Sequence, residues 1–229
     1  MAIRTRRGAG RPTKEGAAEI ADRVLDGAKR TFCRQGISGA LMDEIAIEAG
    51  VTKHTIYRRY PRKTALLEAV VERELVRFTQ WMEAPARQES DPLDMLKHAA
   101  SRFADYGARP ENVTFTFFLL AESAFCPEMF ERFLRWEKLA VRPLLEKIII
   151  AQAAGRLLPG DPRDICDILR GLIDGFSHSL RRPGSQDGAN AWKEQFEARW
   201  AIFLRALGRA ESLSLDRTRR DAMPIGTAA

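Results

Sequence analysis

The chain has little cysteine and little histidine, and neither is placed for disulfide or metal chemistry. Cys33, Cys126 and Cys166 are three in 229 residues, widely spaced, with no Cys-x-x-Cys pair and no nearby histidine. Neither a disulfide framework nor a metal site is indicated, and the three read as reduced thiols on helices. Cys126 lies just before Pro127, near an expected helix start where a thiolate is favoured, so redox sensing is the alternative for that residue. His98 and His178 are isolated in the sequence. No spacing of Ser, His and Asp suggests a nucleophilic triad and no Glu-x-x-His pair suggests a di-iron site, so neither an enzyme nor a cofactor is expected. No apolar stretch is long enough to span a bilayer, and the basic N-terminus is not followed by an apolar segment. A cytoplasmic protein with no membrane partner is the expectation. No alternating strand pattern persists either, which points to an all-α fold.

Positive charge is concentrated in one region. Residues 1–63 hold 14 Lys/Arg against 7 Asp/Glu, whereas the rest hold 23 against 24, within a net charge of +6. Such an excess suits a polyanion. Residues 1–12 carry Arg4, Arg6, Arg7 and Arg11 with no acid before Glu15, and read as a flexible basic arm able to track phosphates. Thr13 can cap a helix whose apolar face is Ile20, Val24, Ala28 and Phe32, closed by Gly36.

Two short helices follow. In the first, Leu41, Ile45 and Ala49 recur at a spacing of four, widened by Met42 and Ala46, and Gly50 supplies a left-handed end. Thr52 can cap a second helix from Lys53 to Arg59. In that helix only Ile56 is plainly an inward-facing hydrophobe, while Lys53, His54, Thr55, Tyr57, Arg58 and Arg59, with Tyr60 just beyond, are donors or aromatics. A helix so poor in core residues does not exist for packing. Its side chains suit phosphates and base edges in a major groove, so it reads as a helix-turn-helix recognition helix.

The combination closely resembles the DNA-binding domain of the tetracycline-repressor (TetR) family. Met42, Ile45, Ala46, Ala49, Gly50, Val51, Thr52, Thr55, Ile56, Tyr57, Tyr60, Lys63 and Leu66 carry the family's pattern. Three positions depart from it: Ala40 stands where a capping Thr is usual, Arg62 replaces the common Ser before the lysine, and His54 takes a position often held by a small residue. The resemblance implies a domain over residues 13–63 that contacts double-stranded operator DNA through Thr52, Lys53, His54, Thr55, Tyr57, Arg58, Tyr60, Arg62 and Lys63.

Beyond Lys63, long helical patterns are punctuated by proline and glycine. A helix from Thr64 to about Glu83 and one starting at Asp91-Pro92 come first. TFTFFLLAESAF is β-prone in composition but has no second strand to pair with, so it is read as helix. Pro127 starts a further helix, with Pro143 inside it, and the segment from about Phe117 to Arg182 is similar to the C-terminal domain of some TetR-family members. Residues 64–209 form a ligand-binding and dimerisation domain on this reading, with 210–229 a disordered tail. Gly171 and Gly175 on one helix, and Trp192, Phe196, Trp200 and Phe203 on the next, make an apolar surface too large for a monomer to expose. The resemblance implies that these helices form a homodimer, and that a small-molecule effector releases a repressor from a palindromic operator. Candidate ligand-lining residues are Phe78, Trp81, Phe103, Phe115, Phe118, Trp136, Glu137 and His178; each is also a plausible core residue, and Glu137 and His178 stand out as polar groups on or beside apolar stripes.

Overall fold

The computed structural model describes residues 14–83, 90–179 and 188–209, with side chains described for 16–83, 90–173 and 193–209. The basic arm and the tail lie outside the described residues, as do the side chains of His178 and Trp192 and the surroundings of Gly175. All regular structure among those described is helical: α1 (Lys14–Gly39), α2 (Met42–Ala49), α3 (Lys53–Arg59), α4 (Lys63–Glu83), α5 (Pro92–Ala108), α6 (Pro110–Ala124), α7 (Pro127–Ala153), α8 (Pro162–Ser179) and α9 (Gly188–Leu207). The chain divides into two compact units between Glu74 and Leu75, inside α4.

In the first unit, α1 buries Val24, Leu25, Ala28 and Phe32. Gly36 breaks it as its sequence position suggests, with φ 71 and ψ 173, and one further turn runs to Gly39. α1 and α2 pack closely at Gly27, where an added Cβ would meet the Ala49 amide nitrogen and the Ile45 carbonyl oxygen at 3.5 Å. Glu48 ties the two helices, accepting from Thr31 at 3.0 Å, Arg34 at 3.1 Å and Arg30 at 3.3 Å. Burial pushes its carboxyl up, but these hydrogen bonds outweigh that and hold it below the usual carboxylate value. α2 buries Met42, Ile45, Ala46 and Ala49. Leu41, expected on that stripe, is 56% exposed, because it is the extended residue before the helix and so does not share the helix's face. α4 is fixed to α1 by a cluster of charges: Glu74 accepts from Lys29 at 2.7 Å and from Arg73 at 3.0 Å, and Arg73 also reaches Asp26 at 2.8 Å.

The core of the second unit gathers Leu96, Ala100 and Ala104 of α5, Leu144 and Ile148 of α7, Leu169 and Ile173 of α8, and Phe196, Trp200 and Phe203 of α9. Asp91 caps α5 by accepting from the Leu93 amide at 2.8 Å, and the same side chain takes an ion pair from Arg156 at 2.6 Å. The end of α9 is tied to the α7–α8 connection by two backbone hydrogen bonds, Leu158 N–H to the Leu207 carbonyl at 2.8 Å and Arg209 N–H to the Arg156 carbonyl at 3.2 Å. The β-prone aromatic segment is helix α6, and α7 continues through Pro143. The thiols of Cys33 and Cys166 are pushed up by burial, that of Cys166 to about 11.

Phe196, Trp200 and Phe203 correct the expected dimer surface. They are 6%, 2% and 0% exposed within their own chain, with Trp200 stacked at 5.3 Å on Phe203 and 6.3 Å on Phe196. These rings close the core of their own unit and are not available to a second copy. Gly171 differs: it is exposed, with open space where a Cβ would stand.

Candidate nucleic-acid interface

The turn between α2 and α3 is built by local chemistry. Gly50 is left-handed, with φ 65 and ψ 38. Its N–H donates to the Ile47 carbonyl at 3.1 Å, and the Val51 N–H donates to the Ala46 carbonyl at 3.0 Å, the paired bonds of a Schellman ending. Thr52 then resets the backbone to extended, and its hydroxyl accepts from the Thr55 amide at 3.2 Å while pairing with the Thr55 hydroxyl at 2.8 Å. α3 is thereby started after a turn of three residues, Gly50 to Thr52.

Within α3 only Ile56 is buried, and Lys53, His54, Tyr57, Arg58 and Arg59 are exposed. Lys53 donates to Asp43 of α2 at 2.7 Å, which holds its pKa above the usual lysine value. The Arg59 guanidinium lies 5.8 Å from the Tyr60 ring centre. Arg58, Arg59 and Arg62 make no ion pair among the described residues, so their charge is available to an outside anion.

Two residues expected to face DNA sit differently. Tyr60 is only 8% exposed, so most of its ring belongs to the core of the first unit. Lys63, the first residue of α4, turns its ammonium inward and donates to the main-chain carbonyls of Ser38 and Ala40, both at 3.0 Å. Arg59, named among the donors of α3 but absent from the set that the resemblance implies, shares the exposed surface of α3 with Arg58. Asp43 became apparent only through its contact with Lys53.

The candidate ligand residues fall into groups. Phe78, Trp81 and Phe103 meet in one aromatic cluster that also takes in Tyr106, with ring centres 5.5 Å apart for Phe78 and Phe103 and 5.1 Å for Phe78 and Tyr106. The guanidiniums of Arg102 and Arg109 lie 4.6 and 4.0 Å from the Trp81 ring centre. Phe115 and Phe118 stack on one another along α6 at 6.0 Å. Trp136 is half-buried on α7. Glu137 meets Arg170 of α8 at 2.6 Å, so its place beside an apolar stripe is satisfied within the chain. A cavity of about 10 Å³, room for one water-sized body, lies elsewhere, between Ala104, Leu169, Ile173, Phe196, Arg199 and Trp200.

Residues 24–70 match the family model of the bacterial regulatory proteins of the tetR family, and this span contains the whole α2–turn–α3 geometry. The chain carries a tetR-family regulatory domain. The HTH-type transcriptional regulator AcrR of Shigella flexneri is 35% identical over 88 residues, covering 38% of this chain and 41% of that protein. The matched stretch thus spans less than half of this curated relative. Beyond the tetR-family domain the likeness is one of fold. A putative TetR-family transcriptional regulator from Mesorhizobium loti superposes with a TM-score of 0.65 at 18% identity, covering 86% of this chain and all of that one. A putative transcriptional regulator from Saccharomonospora viridis, solved in complex with choline, gives a TM-score of 0.68 at 17% identity, covering 84% and 99%. No helix among the described residues is long and apolar enough to cross a membrane.

Proposed function

We propose that the chain is a transcriptional repressor that binds a palindromic double-stranded DNA operator as a homodimer and is released by a small-molecule effector. The observation that carries this reading is α3: seven residues with one buried, entered through a Schellman turn and a threonine cap, and presenting Lys53, His54, Tyr57, Arg58 and Arg59 outward. Side chains that build no core are explained by what they meet outside the chain. Ammonium, imidazole, phenol and guanidinium groups on one short helix suit phosphates and base edges in the major groove. A dimer follows from how such helices read DNA, two half-sites about 34–36 Å apart or a multiple of it. The proposed dimer surface is the outward face of α8 and α9, where Ile168, Gly171 and Ile202 are exposed.

The effector is assigned to the second unit on the strength of the aromatic side chains gathered there; a regulator of similar fold was solved in complex with choline. Phe78, Trp81 and Phe103, with Phe115, Phe118 and Trp136, are the large side chains proposed to recognise it. The protein works in the cytoplasm and performs no catalysis on this reading, in keeping with relatives that are regulators. Selection of bound duplexes from a random pool, then footprinting with and without candidate effectors, tests the proposal. An inverted repeat protected by the protein and released by a ligand is the expected result. Protection without sequence preference and without ligand-dependent release would identify a nucleoid-type DNA binder instead.

A further inference from the structure

Lys63 carries a charge that, by residue type and position, belongs to a phosphate contact, yet its ammonium is already engaged. It donates to the carbonyls of Ser38 and Ala40, 25 and 23 residues earlier in the chain. Those carbonyls lie where α1 ends. Gly36 has already broken the helix with its positive φ, one more turn carries it to Gly39, and Ala40 is buried at 1% exposure before Leu41 opens α2. The last carbonyls of a helix have no acceptor role inside it and represent the negative end of its dipole, so they are ordinarily capped by a local residue or by a lysine in the last turn. α1 has no basic residue in its last turn. Lys63 supplies that cap from the start of α4, and a single side chain thereby fixes where α1 ends, α2 begins and α4 starts.

We infer that Lys63 is a positioning residue for DNA reading rather than a phosphate ligand: it pins the α1–α2 connection to the first turn of α4, so that α2 and α3 meet the duplex in one orientation. Phosphate neutralisation falls to Arg58, Arg59 and Arg62, whose charges are not spent inside the unit. This rests on the proposed operator binding. Each role has a separate signature. A phosphate ligand contributes to the salt dependence of binding, because its charge releases counterions from the duplex. A positioning residue changes affinity at every salt concentration alike. A residue that only stabilises the fold changes neither while the protein remains folded.

The experiment is full-length Lys63→Met, which keeps the length of the apolar stem and removes the ammonium, bound to the duplex selected by the parent across a salt series. Thermal melts in each buffer establish that the variant is folded at the assay temperature. The expected result is a Kd raised about tenfold, the scale of one lost charge-assisted hydrogen bond, at unchanged slope of log K against log salt. A slope shallower by about 0.9 per protomer overturns the inference in favour of a phosphate contact. Parental affinity with only a lower melting temperature overturns it in favour of a purely structural role. Should the methionine variant not fold, Lys63→Gln retains a neutral donor and gives the same discrimination, with a smaller loss of affinity and the parental slope expected. A parent that selects no duplex at all refutes the operator reading, which is a different failure from any of these.

Discussion

Replacing Arg62 by serine separates the cost of a helix start from its use. The Arg62 carbonyl accepts the first intrahelical bond of α4, from the Leu66 amide at 3.1 Å, so Arg62 occupies the position before the first helical residue. Its side chain is exposed and has no oxygen with which to accept from the free amides of the first turn, and its charge faces the positive end of the helix dipole. Thr52 provides the internal comparison, since at the same position of α3 its hydroxyl does accept from a first-turn amide. Arg62→Ser gives α4 what α3 already has. The gain expected for an N-cap is about 0.5–2 kcal/mol, and for a chain of this size each kcal/mol moves the melting temperature by about 2–4 °C. The same change removes an unpaired cation from the surface proposed to face DNA, so operator binding should weaken and its salt slope fall by about 0.9 per protomer, or about 1.8 per dimer. Melting curves and a binding salt series on the same preparation decide the matter. A variant less stable than the parent, or one with the parental slope, refutes the reasoning.

Gly50→Ala should cost about 1–2 kcal/mol, read by denaturant titration, because nothing lies within 4 Å of the added Cβ and the penalty is the left-handed backbone alone; an isoenergetic variant would contradict the turn geometry. Phe203→Ala should cost about 3–5 kcal/mol as a core deletion, whereas Ile168→Glu should leave the melting temperature nearly unchanged and shift sedimentation to the monomer. The opposite assignment of effects to those two positions would restore the α9 rings to the interface. Glu48 has a folded-state pKa below its ordinary value of 4.5, so the stability it adds is present above pH 4.5 and is lost as pH falls through the folded value. The melting-temperature gap between the parent and Glu48→Gln should therefore be widest near neutrality and close below pH 4.5; a gap independent of pH counts against the Arg30–Glu48–Arg34 arrangement.

Much of this structure follows from local chemistry, and there the sequence was informative. The bounds of α3, its threonine cap, its single buried isoleucine and the glycine that ends α2 depend on residues within a few positions of one another. The helical state of TFTFFLLAESAF followed from the lack of any strand to pair with. What could not be read depends on partners distant in sequence. Phe196, Trp200 and Phe203 have the same spacing whether they close a core or await a second copy, and only the position of α5 and α8 against α9 distinguishes the two. The pairing of Glu137 with Arg170 and the reach of Lys63 to Ser38 and Ala40 join residues more than twenty positions apart, for which no pattern exists in a single chain. Leu41 was misplaced by one residue of boundary, enough to move it off the buried face.

The central claim is that α3 reads base sequence, and the measurement closest to it is the ratio of affinities for the selected duplex and for a random duplex of equal length, at one salt concentration. The comparison pairs the parent with a variant changed only on the outward side of α3, His54→Ala with Arg58→Ala. A sequence-specific reader should prefer its own site by a factor of at least about 10³ in the parent. In the variant that preference should collapse while its melting temperature stays at the parental value, since neither side chain is buried. Equal affinity of the parent for both duplexes, or a preference that survives the double change intact, would contradict the account.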